Sequence, residues 1–351
     1  MAPEAVTTVA CVGGGIIGGG WVCEFLRAGL EVRAYDPSPA TRARLPEVVA
    51  EAWPTLEKLG LAHGADPARL TVHDTLAAAA DGAHCVQESV PEDVAIKRAV
   101  FGDLDSALAP GVPVLSSISG SYTIAELTEG LANPERFVVA HPFNPPYLVP
   151  LVELVGGAGV TADAAIDWAF HFYGDARCGK FPLLCSNETP GYVANRLQDA
   201  LWREALHMLV EGEATYEEID AAVAYGPGLR WAAMGPLLTF YLAGGADGYR
   251  HFFDHFGPTL TQPWTRLVAP PISEEMQRLL VEGSERALRA EGLEPGADGA
   301  RALMARRDDA IVATLAALKR HPRPVSFDGA LRAADVAAAS GAAPPTAKAG
   351  A

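Results

Sequence analysis

The chain has 351 residues, enough for one large core or two smaller ones, and two domains are the better expectation. Its formal net charge of −16 argues against nucleic acid and anionic membrane surfaces as partners, because both would repel it at long range. No apolar run reaches the roughly 20 residues that span a bilayer, and Met1-Ala2-Pro3-Glu4 lacks the charged and apolar regions of a signal peptide, so a cytoplasmic protein is expected.

Residues 6–12 form a short apolar, β-branched run that predicts a strand and ends in Gly13-Gly14-Gly15-Ile16-Ile17-Gly18-Gly19-Gly20. Gly13, Gly15 and Gly18 make a G-x-G-x-x-G pattern, and Trp21, Phe25 and Leu26 continue it as a helix. Such glycines permit a tight turn, approach of backbone to a pyrophosphate and close packing of helix on strand, with the helix N-terminus facing the anion. Gly13, Gly15, Ile16, Ile17 and Gly18 are therefore the expected cofactor contacts. A second strand over 30–35 ends at Asp36, eighteen residues beyond Gly18. A carboxylate there accepts ribose hydroxyls and repels a 2′-phosphate, which favours NAD over NADP. The bland alternative is a turn aspartate in Asp36-Pro37-Ser38-Pro39.

The next stretch, 39–70, is helical in composition, with Trp53, Leu56 and Leu59 at helical spacing and a turn over 60–67. Strands are predicted over 71–73 and 85–90, with a helix over 75–80 between them. After Ser89, Glu92 and Asp93 are read as the acidic first turn of another helix, as its dipole favours. Residues 112–117 read as a further strand. It ends in the hydroxyl-dense loop Ser116-Ser117-Ile118-Ser119-Gly120-Ser121, which either caps a helix over 123–131 or binds a substrate oxygen. The alternation of strand and helix predicts an α/β fold with a Rossmann-type doubly wound parallel sheet.

Residues 136–140 form another strand-like run, leading into His141-Pro142-Phe143-Asn144-Pro145-Pro146-Tyr147-Leu148-Val149-Pro150. Four prolines deny this segment helix and sheet-interior positions, so His141 is expected on a rigid loop at a strand's C-terminal end, where open α/β sheets place their chemistry. The apolar run 147–155 reads as a second extended segment holding one carboxylate, Glu153. A buried carboxylate needs a partner, and His141 is the nearest candidate in sequence. A histidine oriented by a carboxylate is a general base; a lone hydrogen-bonded structural histidine is the plainer alternative.

A helix over 161–173 and a strand over 178–184 complete this part. From Pro190 onward helical patterns dominate, over 191–212, 215–224, 234–242, 249–256, 273–290 and 300–319. The expected division is 1–188 as an NAD-binding Rossmann-like domain, 189–320 as an all-helical substrate and dimerisation domain, and 321–351 as a tail with a mobile end. The five cysteines, Cys11, Cys23, Cys85, Cys178 and Cys185, are scattered, with no Cys-x-x-Cys pair and no histidine at ligand spacing. They predict buried free thiols and no metal site.

With the glycine turn, the serine loop, His141-Pro142-Phe143-Asn144-Pro145 and Asn187-Glu188-Thr189-Pro190-Gly191-Tyr192-Val193-Ala194-Asn195-Arg196-Leu197 in order, the chain resembles the L-3-hydroxyacyl-CoA dehydrogenase superfamily from about Val9 to Lys319. Leu201-Trp202-Arg203-Glu204-Ala205-Leu206-His207, Gly228-Leu229-Arg230-Trp231 and Met234-Gly235-Pro236 make it most similar to the small-acid branch that contains L-carnitine dehydrogenase and L-gulonate 3-dehydrogenase (lambda-crystallin). The resemblance implies an NAD-dependent oxidation of a small L-3-hydroxy acid, with His141 catalytic and oriented by Glu153, and Ser119 and Asn195 on the substrate oxygen. It implies Asp36 on the ribose, and Ser89, Glu92, Lys97 and Asn144 along the nicotinamide side. A homodimer through the helical domain follows from it too.

A quaternary ammonium substrate would be held by aromatic faces, for which Phe143, Tyr147, Trp202, Trp231, Phe240, Tyr241, Phe252, Phe253 and Trp264 are candidates; dimer core is the alternative for most of them. Phe143 follows the carnitine pattern, while Pro146 and Pro236 follow the gulonate one. Ala233 stands where the carnitine branch has phenylalanine, and Asn195 where it has aspartate. The rival readings are a 3-hydroxyacyl-CoA or acyl-carrier dehydrogenase, and a non-catalytic NAD-binding crystallin-like protein.

Overall fold

The structure is a computed structural model that describes residues 1–243, 249, 251–253, 265–266, 268 and 270–319. These fall into two compact units, Met1–Val193 and a second that begins at Ala194.

The first unit is built on eight strands: β1 (Thr8–Val12), β2 (Glu31–Tyr35), β3 (Leu70–Val72), β4 (Cys85–Glu88), β5 (Val114–Ser116), β6 (Phe137–Pro142), β7 (Leu151–Gly156) and β8 (Phe181–Leu184). They form one sheet in the order β3-β2-β1-β4-β5-β6-β7-β8. Helices α1 (Ile16–Arg27), α2 (Pro39–Leu59), α3 (Leu76–Ala80), α4 (Val94–Ala107), α5 (Ile124–Leu127) and α6 (Asp163–Gly174) connect and cover it. The strand order reverses between β1 and β4, which opens a crevice at their carboxyl ends.

Every pairing is parallel except β6 with β7, which run antiparallel. The connection between those two spans only 143–150, too short for the crossover that parallel neighbours need. His141 is therefore not on a loop, as the prolines suggested, but a strand residue in that ladder. Pro142 ends β6, and the other three prolines lie beyond it.

The sheet is buried on both faces, and alternate residues of β1 feed different cores. Val9 and Cys11 join Trp21, Phe25, Phe172 and Tyr173, whereas Ala10 and Val12 join Phe101, Leu104, Ile118 and Phe137. Trp21 stacks on Phe25 at 5.3 Å between ring centroids, and Phe101 meets Phe137 at 4.7 Å. Cys11, Cys23, Cys85 and Cys178 are buried free thiols, and burial pushes Cys23 and Cys178 up to about 12.

Local chemistry adjusts several element ends. Asp93 is the cap of α4, not part of its first turn: its Oδ1 accepts the amides of Ala95 and Ile96. Glu92 is thereby left outside the helix. The helix expected over 123–131 is the single turn α5, opened by a Thr123–Glu126 capping box and closed before Gly130 at φ +82°.

The second unit is helical: α7 (Ala194–Val210), α8 (Tyr216–Tyr225), α9 (Pro227–Ala233) and α10 (Pro236–Ala243), then Glu274–Ala290 and Ala297–Lys319. Helix α9 lies in the interval between the helices expected over 215–224 and 234–242; Pro227 occupies its first helical position, where its missing N–H costs nothing. Gly283 lets the helix Glu274–Ala290 pack closely on α8, since a Cβ there would lie 2.6 Å from Tyr216. The helix expected over 249–256 is described only at Tyr249 and 251–253, while Trp264 and the tail from His321 lie outside the described residues.

Candidate active site

A cavity of 750 Å³ opens along the carboxyl ends of β1, β2, β4, β5 and β6. The glycine turn forms its floor, and each glycine has a separate reason. Gly13 sits at φ +98°, where a Cβ would stand 2.6 Å from the Ser89 carbonyl oxygen. At Gly18 a Cβ would lie 1.8 Å from the Gly13 carbonyl oxygen, so the helix closes onto the turn only with glycine there. Around Gly15 no described residue lies within 4 Å of that position, which leaves open space directly over the start of α1. Gly15 also caps α1 without any side-chain hydrogen bond, and Ile16 above it is 79 % exposed. An uncapped helix N-terminus under open space suits a diphosphate.

Asp36, at the end of β2, borders the same cavity. Its Oδ2 accepts the Gly14 amide and its Oδ1 the Ser38 amide, both at 2.8 Å. The carboxylate thus ties the turn to the strand and stands where a ribose would lie. The residues present fit NAD.

At the other end of the cavity is His141. In the antiparallel ladder His141 is paired directly with Glu153, and residues opposite one another project from the same face at about 5 Å. Accordingly His141 Nδ1 lies 2.9 Å from Glu153 Oε2. Glu153 is fully buried, and its other oxygen accepts the Val193 amide at 3.0 Å. Both carboxylate oxygens are engaged, so the imidazole is held with Nδ1–H donating, and Nε2 is the nitrogen left for proton exchange.

The serine loop closes the near wall. Ser119 donates both its amide and its hydroxyl to Glu92 Oε1 at 3.1 Å, and both residues line the cavity. Ser89 Oγ lies 2.9 Å from Ser117 Oγ, which also receives Gln87 Nε2 at 3.0 Å and Trp21 Nε1 at 3.3 Å. Ser117 faces the cavity with Ser89, yet the sequence reading did not single it out. The only signal was its place in a hydroxyl-dense loop. Gly20 packs α1 against the histidine segment so closely that a Cβ would meet Pro146 at 2.5 Å.

Lys97 stands behind this wall rather than along it. It is fully buried, with Nζ 3.1 Å from Glu88 Oε1 and 3.7 Å from Glu92 Oε2. Glu88, buried too, also accepts the Ser116 hydroxyl and the Val90 amide. Lys97 therefore fixes the end of β4 and the position of Glu92, and it is not among the residues that line the cavity.

Residues 8–189 match the 3-hydroxyacyl-CoA dehydrogenase NAD-binding domain, and residues 191–282 match the 3-hydroxyacyl-CoA dehydrogenase C-terminal domain. The chain belongs to the 3-hydroxyacyl-CoA dehydrogenase family. It is 52 % identical to an L-carnitine dehydrogenase of Streptomyces coelicolor over 91 % of this chain and 96 % of that one. An L-carnitine dehydrogenase of Streptomyces griseus is also 52 % identical, over 92 % of this chain and 93 % of its own. Among solved structures, an NAD+-dependent dismutase, 5-formyl-3-hydroxy-2-methylpyridine 4-carboxylic acid 5-dehydrogenase, aligns with a TM-score of 0.75 at 27 % identity, covering 90 % of this chain and 99 % of that one. This family member is an NAD-dependent dehydrogenase acting on a CH–OH group.

The remaining residues that the resemblance singled out are distributed as follows. Asn144 is exposed beyond β6, while Phe143 is half-buried and meets the His141 ring edge-on, 5.2 Å between centroids. Asn195 belongs to the first turn of α7, and Trp231 and Ala233 to α9, all in the second unit. There, Phe240 packs on Phe252 at 5.4 Å, and Tyr249 meets Tyr241 at 5.9 Å and Phe253 at 5.8 Å. Of these rings Phe252 is buried, whereas Phe240, Tyr241 and Phe253 remain exposed. Trp202 borders a 210 Å³ apolar groove with Leu201, Leu206, Leu209, Ile219 and Val223. Among the described residues no helix is long and apolar enough to cross a membrane.

Proposed function

We propose that this NAD-dependent 3-hydroxy acid dehydrogenase acts on a small L-3-hydroxy acid, with L-carnitine the first candidate, using His141 as general base and Glu153 to hold its tautomer. The observation that carries the reading is the His141–Glu153 contact of 2.9 Å in the wall of the cavity that also contains the glycine turn and Asp36. The substrate assignment is supported by the names of the two Streptomyces relatives.

Bound above the glycine turn, NAD would supply the hydride acceptor for C3 of the substrate. The hydroxyl proton moves to His141 Nε2 as the C3–O bond becomes a carbonyl, and the Glu153 carboxylate stabilises the imidazolium that results. We assign Ser119 and Asn195 to the substrate oxygen, where hydrogen-bond donors steady the charge that develops during proton loss. Glu92 keeps the serine loop in place through the Ser119 amide. Ser89 and Asn144 are assigned to the nicotinamide side, and Phe143 beside the imidazole, with Trp231 and Ala233, to substrate selection. In this reading the 1–188 region is the NAD-binding domain and the helices over 189–320 are a substrate and dimerisation domain of a cytoplasmic homodimer. The exposure of Leu197 at 60 %, Trp202 at 52 % and Leu237 at 75 % supports the dimer.

The deciding experiment measures NADH formation with L-carnitine, L-gulonate and 3-hydroxybutyryl-CoA side by side. Turnover on L-carnitine well above the other two is expected; preference for the thioester would replace the small-acid reading, and inactivity on all three would remove it. A second measurement addresses the cofactor. Asp36→Ala is expected to weaken NAD binding about 10- to 100-fold, the equivalent of about 1.5–3 kcal/mol for hydrogen bonds to a charged group. Unchanged affinity by titration calorimetry would contradict the ribose assignment.

A further inference from the structure

Tyr192 leads out of the first unit, two residues before α7 begins, and it is 1 % exposed. Its ring lies 5.7 Å from the His141 imidazole, tilted by 54°, while Phe143 meets the same imidazole edge-on. Among the described residues it is the non-glycine position with a positive φ, +48°. A bulky side chain rarely adopts that backbone, and where it does the surroundings hold it there, commonly at a functional site.

Two contacts do the holding. Gly120, at φ +95°, comes so near that a Cβ on it would stand 2.4 Å from the Gly191 amide nitrogen. On the other side, the Val193 amide donates to Glu153 Oε1 at 3.0 Å. Meanwhile the Tyr192 hydroxyl is buried with no hydrogen-bond partner among the described residues, which is unusual for a phenol. The position thus uses the ring and the backbone, and leaves the polar tip idle.

We propose that Tyr192 is a positioning residue for the His141–Glu153 pair. One hydrogen bond at Nδ1 fixes the tautomer but leaves the imidazole free to swing about that contact. The Tyr192 ring restricts the swing and so sets where Nε2 points. Its left-handed backbone aims the following amide at the carboxylate that holds Nδ1. This rests on the reading of His141 as proton acceptor.

The test compares Tyr192→Phe with Tyr192→Met, taking His141→Ala as control. Tyr192→Phe keeps the ring and should match the parent in kcat and in the pH midpoint of kcat/KM. Tyr192→Met should lower kcat about 10- to 100-fold, as small misplacements of reacting groups do, and should move that midpoint while NAD affinity stays at the parent value. Parent-like kcat and pH profile in Tyr192→Met would overturn the proposal, and so would a joint loss of NAD binding and turnover, the mark of a core residue. If Tyr192→Phe were as impaired as Tyr192→Met, the hydroxyl rather than the ring would matter, and the proposal would fall as well.

A measurement on the intact chain serves should Tyr192→Met not fold. With 3-fluorotyrosine incorporated and the resonance assigned through Tyr192→Phe, the Tyr192 fluorine signal should titrate with the midpoint of kcat/KM; a flat signal would overturn the contact. An active His141→Ala would remove the base reading itself. An inactive His141→Ala beside a parent-like Tyr192→Met would remove only the role of Tyr192.

Discussion

Replacing His141 by alanine is expected to lower kcat by about 10²–10⁴, the usual contribution of a positioned general base, while NAD affinity stays close to that of the parent. The separation of effects follows from the geometry. His141 sits at the end of β6, whereas the glycine turn and Asp36 belong to β1, β2 and α1, held by their own contacts at Gly14 and Ser38. Removing an imidazole that is 7 % exposed leaves a small void beside Phe143 and Tyr192 but breaks none of those contacts. Single-turnover measurements at saturating NAD isolate the chemical step. Near-normal turnover would take His141 out of the mechanism.

Glu153→Gln is expected to lower kcat by a comparable factor, about 10²–10⁴, even though it changes one atom and almost no volume. Glu153 accepts the Val193 amide on Oε1 and the His141 ring on Oε2. A glutamine has one accepting oxygen. If that oxygen stays on the Val193 amide, the NH₂ faces Nδ1, which must then accept, and the proton moves to Nε2, where it blocks base catalysis. If the amide turns the other way, the Val193 N–H is left facing another donor in a buried site, a cost of about 1–3 kcal/mol. Histidine ¹⁵N spectra distinguish the two tautomers. A Glu153→Gln variant that keeps Nδ1–H and parent turnover would show that the carboxylate does not orient the ring.

The elements that were legible in the sequence are those whose physics is local. The glycine turn announced itself because Gly13 and Gly18 each occupy a position that no Cβ can share, and Asp36 because it ends the next strand. His141 and Glu153 stood out as polar residues in apolar runs. Their direct pairing across a ladder was harder to see, since the four prolines drew attention to a loop and away from the direction of the second strand. Lys97 illustrates a different difficulty: its place on the nicotinamide side came from the resemblance alone, and its burial against the fully buried Glu88 shows only in the folded chain. Tyr192 was visible only as one letter of the stretch that carries the resemblance, because what marks it is a backbone angle. Helix α9 was hidden by Pro227, whose ring suits a helix start as well as a turn.

Strand pairing between β6 and β7 has one further consequence. Because side chains alternate between the two faces of a sheet, sliding β7 by a single residue would turn Glu153 to the opposite face and bring Leu154 or Val152 beneath the imidazole. No amino acid would have changed, yet the proposed proton acceptor would lose its anchor. The proposed chemistry is thus a matter of parity: it depends on an even or odd count along β7, and a register shifted by one residue within that strand would abolish the pairing of His141 with Glu153.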